Sequence, residues 1–167
     1  MSIHQDLAAR VVTTLSQRDQ TLAFAESLTG GLLGATITDV PGASKVFLGG
    51  AIAYASEVKE RMLGVDPLEI EAHSVISPQV AHMMAHGVKG LTGSDWAIGV
   101  TGVAGPASQD GHAPGEVWIT VLGPKIGTAP QPVQSLRYQF EGDRAAAVRE
   151  ATVEAALGML LRFLAPV

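Results

Sequence analysis

The 167-residue chain contains no cysteine. Disulfides, zinc-thiolate sites and a thiol nucleophile are therefore excluded, and a reducing cytosol fits without being required. Charge is scarce at 16% of residues, and the balance is acid, with a formal net charge of −5. A sequence-independent grip on nucleic acid needs a basic surface, so no nucleic-acid partner is expected. A small phosphorylated ligand needs only a local cluster of positive groups and stays open. No run free of charge or glycine reaches membrane-spanning length, so no membrane role is expected. The polar N-terminus has no apolar leader core, so a signal peptide is not expected either. Repeats, charge blocks and low-complexity linkers are absent, which gives residues 1–167 as a single domain. A cytoplasmic protein is the expectation.

What is present is apolar and glycine-rich: 47% hydrophobic residues and 19 glycines. Elements buried on both sides read this way, as in a layered α/β domain. Leu7, Val11, Val12 and Leu15 share one face of a helix over 4–18. Leu22 to Ala25 reads as a buried strand that breaks at Glu26 and Ser27. Thr29, Gly30 and Gly31 then lead into a helix to about Val40, stopped by Pro41-Gly42. Gly49-Gly50 reads as a break and Ala51 to Ala55 as a second strand. Ser56 can cap the next helix, which holds Lys59 in its first turn and closes at Gly64. Further helices are expected over 66–73 and from Ser77-Pro78. Strands are expected over 95–100, 116–122 and 133–140, the last at an edge. Thr101 to His112 reads as a mobile small-residue loop. A long helix runs to about Leu164, with Asp143 as its N-cap.

The stretch from Leu22 to Gly31 is where chemistry is expected. A strand turning sharply into a helix presents small side chains, backbone N–H groups and the positive end of the macrodipole. Such a turn suits an anion or a nucleophile that passes through an oxyanion. Ser27 is the candidate nucleophile. No Gly-x-Ser-x-Gly elbow is present, so its base must come from elsewhere. Lys59 can serve if desolvation lowers its pKa. The Tyr54 hydroxyl could bond the amine or the substrate. If the two strands are parallel neighbours, both junctions open at one edge of the sheet. The alternative is that Ser27 and Thr29 merely cap a helix and that Lys59 is a solvated surface lysine. Gly30-Gly31 and Thr101-Gly102 could place amides against a phosphate or carbonyl, or could answer only to turn geometry. Arg144, in the first turn of the last helix, opposes the macrodipole. It is either an anion ligand or an exposed partner of Glu141 or Asp143. His82 and His86 stand four apart but lack the glutamate of a zincin, so no metal is expected.

Taken together, the strings resemble a family. Ala25-Glu26-Ser27-Leu28-Thr29-Gly30-Gly31, Asp39-Val40-Pro41-Gly42-Ala43-Ser44, Gly49-Gly50 and Tyr54-Ala55-Ser56-Glu57-Val58-Lys59 are similar to the CinA C-terminal domain, or PncC family. Thr101-Gly102-Val103-Ala104-Gly105-Pro106, Pro114-Gly115-Glu116-Val117 and Phe140-Glu141-Gly142-Asp143-Arg144 follow in the family's order. The resemblance implies a three-layer α/β/α sandwich with a mixed, largely parallel sheet of about five strands. It implies an amidohydrolase that converts nicotinamide mononucleotide and water to nicotinate mononucleotide and ammonia, in pyridine-nucleotide salvage, without a cofactor. By motif the nucleophile falls on Ser27, the base on Lys59 and an assisting hydroxyl on Tyr54. Thr101 and Arg144 fall on substrate-side positions, with Thr29, Gly30 and Gly31 on the turn. The chain departs from the pattern at Leu28, at Ala55-Ser56 and over the 107–112 loop, which touches substrate identity. The alternative is a non-catalytic nucleotide- or protein-binding module tied to competence or DNA damage. Apolar helices such as 145–164 could build a homo-oligomer interface, although core burial explains the same residues.

Overall fold

The computed structural model describes residues 3–142 and 144–166. Five strands form one sheet: β1 (Leu22–Glu26), β2 (Phe47–Ile52), β3 (Trp96–Gly102), β4 (Glu116–Leu122) and β5 (Val133–Gln139). Their order is β2-β1-β3-β4-β5. β1 pairs in parallel with β2 and β3, whereas β4 and β5 add on antiparallel. Six helices are α1 (Ile3–Arg18), α2 (Leu32–Thr38), α3 (Ser56–Leu63), α4 (Pro67–His73), α5 (Pro78–Thr92) and α6 (Ala145–Leu164).

Strand alternation divides the core into two unequal layers. Leu22, Phe24, Trp96, Ile98 and Val100 point to one face, where residues of α1, α2 and α6 cover them. Ala23, Ala25 and Ala97 point to the other, against Leu63 of α3 and Val80, Met84, Ala85 and Val88 of α5. Large side chains on one face and alanines on the other let α5 approach the sheet closely. A Cβ at Gly99 would stand 2.3 Å from the Ala81 carbonyl oxygen, so β3 needs glycine there. The architecture is the α/β/α sandwich with a mixed five-stranded sheet that the family resemblance implies, with two of its four strand pairings parallel. No helix among the described residues is long and apolar enough to cross a membrane.

Four sequence expectations are corrected. β2 runs unbroken from Phe47 through Gly49-Gly50, because its ladder with β1 carries the glycines across a register shift. Ser56 is the first residue of α3, and Ala55 holds the cap position without a side-chain bond. Thr101 and Gly102 belong to β3, since both continue the ladder to β4. The tip of the 103–115 connection is a bonded turn, described below. Asp143 lies outside the described residues, and Arg144 occupies the N-cap position of α6.

Candidate active site

β1 and β2 are parallel neighbours, so their C-terminal ends open on the same edge of the sheet. That edge is where open α/β sheets place ligands. Ser27 leaves β1 there, and Lys59 enters from the first turn of α3. Lys59 Nζ lies 2.9 Å from Ser27 Oγ. It also donates to the carbonyl oxygens of Ala53 at 2.8 Å and Tyr54 at 2.9 Å. Both side chains are buried: Lys59 is 2% exposed and Ser27 6%. Among the described residues no carboxylate forms an ion pair with Lys59. Burial without a counter-charge disfavours the ammonium and brings the Lys59 pKa down from 10.5 to about 8.

The three contacts have a consequence for the neutral amine. An ammonium donates to all three oxygens. A neutral amine keeps two N–H donors and one lone pair. With two carbonyls fixed beside it, the donors stay on Ala53 and Tyr54, and the lone pair is left for the Ser27 hydroxyl. The arrangement can therefore take a proton from Ser27 Oγ.

A cleft of about 340 Å³ opens over this pair. Ser27, Tyr54, Lys59, Thr101 and Gly102 all line it, together with Leu28, Ser56, Val75, Ile76 and the stretch from Val103 to Gln109. Tyr54 stands at its mouth, 73% exposed, and meets the lysine through its carbonyl rather than its hydroxyl. The Thr101 hydroxyl donates to the Val75 carbonyl at 2.8 Å. It therefore ties β3 to the cleft wall formed by Val75 and Ile76. Among the described residues that line the cleft, Lys59 is the one Lys or Arg side chain.

Thr29, Gly30, Gly31 and Arg144 do not line this cleft. The Gly30 N–H donates to the Ser27 carbonyl at 3.1 Å. The Gly31 N–H donates to Glu26 Oε1 at 3.2 Å. Both amides have an acceptor within the chain, which favours the turn-geometry alternative over an oxyanion or a phosphate at these two groups. Their role is conformational: φ is +57° at Gly30 and +103° at Gly31, values that favour glycine. Thr29 is fully buried, and its hydroxyl has no partner among the described residues. Arg144 is exposed at the start of α6.

Two residues that the sequence did not single out hold the turn. Glu26 is 4% exposed, with Oε1 accepting from the Gly31 and Leu33 N–H groups and Oε2 from Gly34. A carboxylate thus closes the N-terminus of α2 from the end of β1. From the other side, Arg149 of α6 donates through Nη2 to the Thr29 carbonyl at 3.0 Å. An acid just ahead of a glycine-initiated helix is a usable signal for the first. Nothing in the sequence around Arg149 marks the second. His82 and His86 are both exposed on α5, and no group of potential metal ligands occurs among the described residues.

The fold recurs in known proteins, and the sequence has relatives among them. A "CinA-like protein" of Chlorobaculum tepidum is 42% identical over 134 residues, covering 80% of this chain and 32% of that protein. The chain spans about a third or less of the length of the first such relatives. The crystal structure of a competence/damage inducible protein from Agrobacterium tumefaciens superposes with a TM-score of 0.89 at 30% identity. That match covers 97% of this chain and 96% of the other. A competence or damage-inducible protein from Enterobacter asburiae reaches a TM-score of 0.92 at 26% identity, over 99% of this chain and 100% of the other. The family model of the CinA C-terminal domain matches residues 4–164, nearly the whole length over which the sandwich and its Ser27–Lys59 cleft are built. The chain belongs to the CinA C-terminal domain family.

Proposed function

We propose that the chain is an amidohydrolase that deamidates nicotinamide mononucleotide through a Ser–Lys mechanism. The observation that carries this reading is the buried Lys59 amine, 2.9 Å from Ser27 Oγ and without a carboxylate partner. A solvated lysine or a helix cap has no need of that environment.

Neutral Lys59 takes the Ser27 proton as Oγ attacks the carboxamide carbon. The Leu28 N–H follows the nucleophile directly, Leu28 lines the cleft, and this amide donates to no group among the described residues. It is the available backbone donor for the oxyanion. The C–N bond then breaks, and the Lys59 ammonium gives its proton to the departing ammonia. That leaves the acyl group of nicotinate mononucleotide esterified to Ser27. Lys59, neutral again, takes a proton from water as the water attacks the ester carbon. The proton returns to Ser27 Oγ as the acid leaves. The balance is one amide and one water in, one acid and one ammonia out.

Ammonia release from nicotinamide mononucleotide by the wild-type chain and by Ser27→Ala tests the assignment. Release that disappears in a variant with an unchanged circular dichroism spectrum is the expected result. A folded wild-type chain that binds the nucleotide and releases no ammonia would replace the enzyme with a nucleotide-binding module.

A further inference from the structure

Seven of the residues lining the cleft, Val103 to Gln109, come from the single connection between β3 and β4. Its tip is a bonded two-residue turn. Gln109 N–H donates to the His112 carbonyl at 3.1 Å, and His112 N–H donates back to Gln109 at 2.8 Å. Asp110 and Gly111 between them have φ of +49° and +77°. Asp-Gly with both residues left-handed is the favoured pattern for a tight hairpin turn.

The hairpin is fastened to the sheet. His112 Nδ1 lies 2.8 Å from Glu116 Oε2, at the start of β4. Ser74 Oγ donates to Asp110 Oδ2 at 3.4 Å, and Gln139 Nε2 donates to the Pro114 carbonyl at 2.9 Å. Glu116 is buried and also accepts from Arg137 Nη2 at 3.1 Å and Trp118 Nε1 at 3.3 Å. Burial pushes its carboxyl up, but the bonds from Arg137, His112 and Trp118, with the charge of His112, outweigh that. They hold it below the usual carboxylate range. Glu116 is thus a fixed anion, and His112 is its link to the hairpin.

The cleft has one further peculiarity. With Lys59 assigned to the proton transfers, no other cationic side chain among the described residues lines it. Within the cleft the polar end of a nucleotide then meets neutral groups, and Ser108 and Gln109 on the hairpin arm are two of them. We propose that His112 is a positioning residue: bonded to Glu116, it holds the Gln109–His112 hairpin so that Ser108 and Gln109 meet the ribose phosphate of the substrate. This rests on the nucleotide reading above.

The test uses His112→Ala, His112→Asn and Gln109→Ala. Asparagine places an amide N–H near the position of Nδ1. Nicotinamide mononucleotide binding is measured by calorimetry with each substitution in a Ser27→Ala background. Ammonia release is measured in the otherwise wild-type chain. Hydrogen exchange is read at the Gln109 and His112 amides. His112→Ala should weaken binding and raise KM about tenfold, leave kcat within about twofold, and speed exchange at both amides about tenfold. His112→Asn should restore all three. The losses from His112→Ala and Gln109→Ala should be less than additive in the double variant. Unchanged binding, unchanged exchange or full additivity would overturn the inference. Should His112→Ala fail to fold, an unchanged dissociation constant for Gln109→Ala would overturn it. Binding without ammonia release sinks the amidase and leaves this test readable. No binding by the Ser27→Ala chain overturns the inference itself.

Discussion

Glu26 and Gly31 are joined across the turn that carries Ser27: the Gly31 N–H donates to Glu26 Oε1 at 3.2 Å, with Ser27 held between them in sequence. The carboxylate collects two more amides, from Leu33 and Gly34. It therefore fixes where β1 ends and where α2 begins, and so where the Ser27 hydroxyl is presented. Glu26→Gln removes one acceptor oxygen and sets an amide N–H₂ against a backbone N–H. A loss of about 2 kcal/mol of stability is expected, read by urea unfolding, together with a fall in kcat. A Glu26→Gln chain as stable and as active as the wild type would show that the turn holds itself.

That contact marks the limit of what the residues announce in order. The Ser27 turn and the lysine junction were legible, because each rests on local pattern: a short apolar run, a strand–helix break, a helix start. The parallel pairing that joins them entered only as a condition, because a ladder between β1 and β2 is a contact between distant segments. The extent of β2 was not, because Gly49-Gly50 is a break by propensity and becomes strand only through its ladder to β1. Nor was the state of the Gly30 and Gly31 amides. A glycine turn at a helix start looks like an anion site until the anion proves to be Glu26 of the same chain. Arg149 is separated from the Thr29 carbonyl it holds by 120 positions. No local pattern carries a contact of that separation.

Arg149 gives the second prediction. Its Nη2 reaches the Thr29 carbonyl while its Nε is buried without a partner among the described residues. Arg149→Met keeps most of the stem and removes both the bond and the unpaired N–H. The two effects oppose each other, so stability should move by less than about 1 kcal/mol. Activity should fall through kcat, by about tenfold, because the residue touches the turn and not the cleft. A change confined to KM would place the guanidinium on the substrate instead.

The third prediction concerns rate against pH. Lys59 must be neutral to accept the Ser27 proton, and its pKa is brought down to about 8 by burial. Activity as kcat/KM should therefore climb about tenfold per unit of pH below about 8 and level off above it. Lys59→Arg retains the charge and cannot deprotonate in this range. Its rate should fall by about a thousandfold at every pH. A flat profile between pH 6 and 8, or an active arginine variant, would remove Lys59 from the base position.

The same pKa makes a statement about stability, independent of any substrate. In the unfolded chain Lys59 returns to an ordinary lysine pKa, near 10.5. Below about pH 8 both states carry the proton, and the folded state bears the full cost of a buried charge. Between about 8 and about 10.5 the unfolded state binds more protons than the folded one, so stability rises with pH across that window. Above it both are neutral and the cost is gone. The span of the shift corresponds to about 3 kcal/mol. Other groups titrate there too, so the measured quantity is the difference between wild type and Lys59→Met, whose side chain has no proton to lose. Urea unfolding at pH 7.5 and at pH 10.5 should show the wild type gaining on the methionine variant by about that amount. A difference that does not change with pH would mean that Lys59 keeps its proton in the folded protein. It would then serve Ser27 as a hydrogen-bond donor and not as a base.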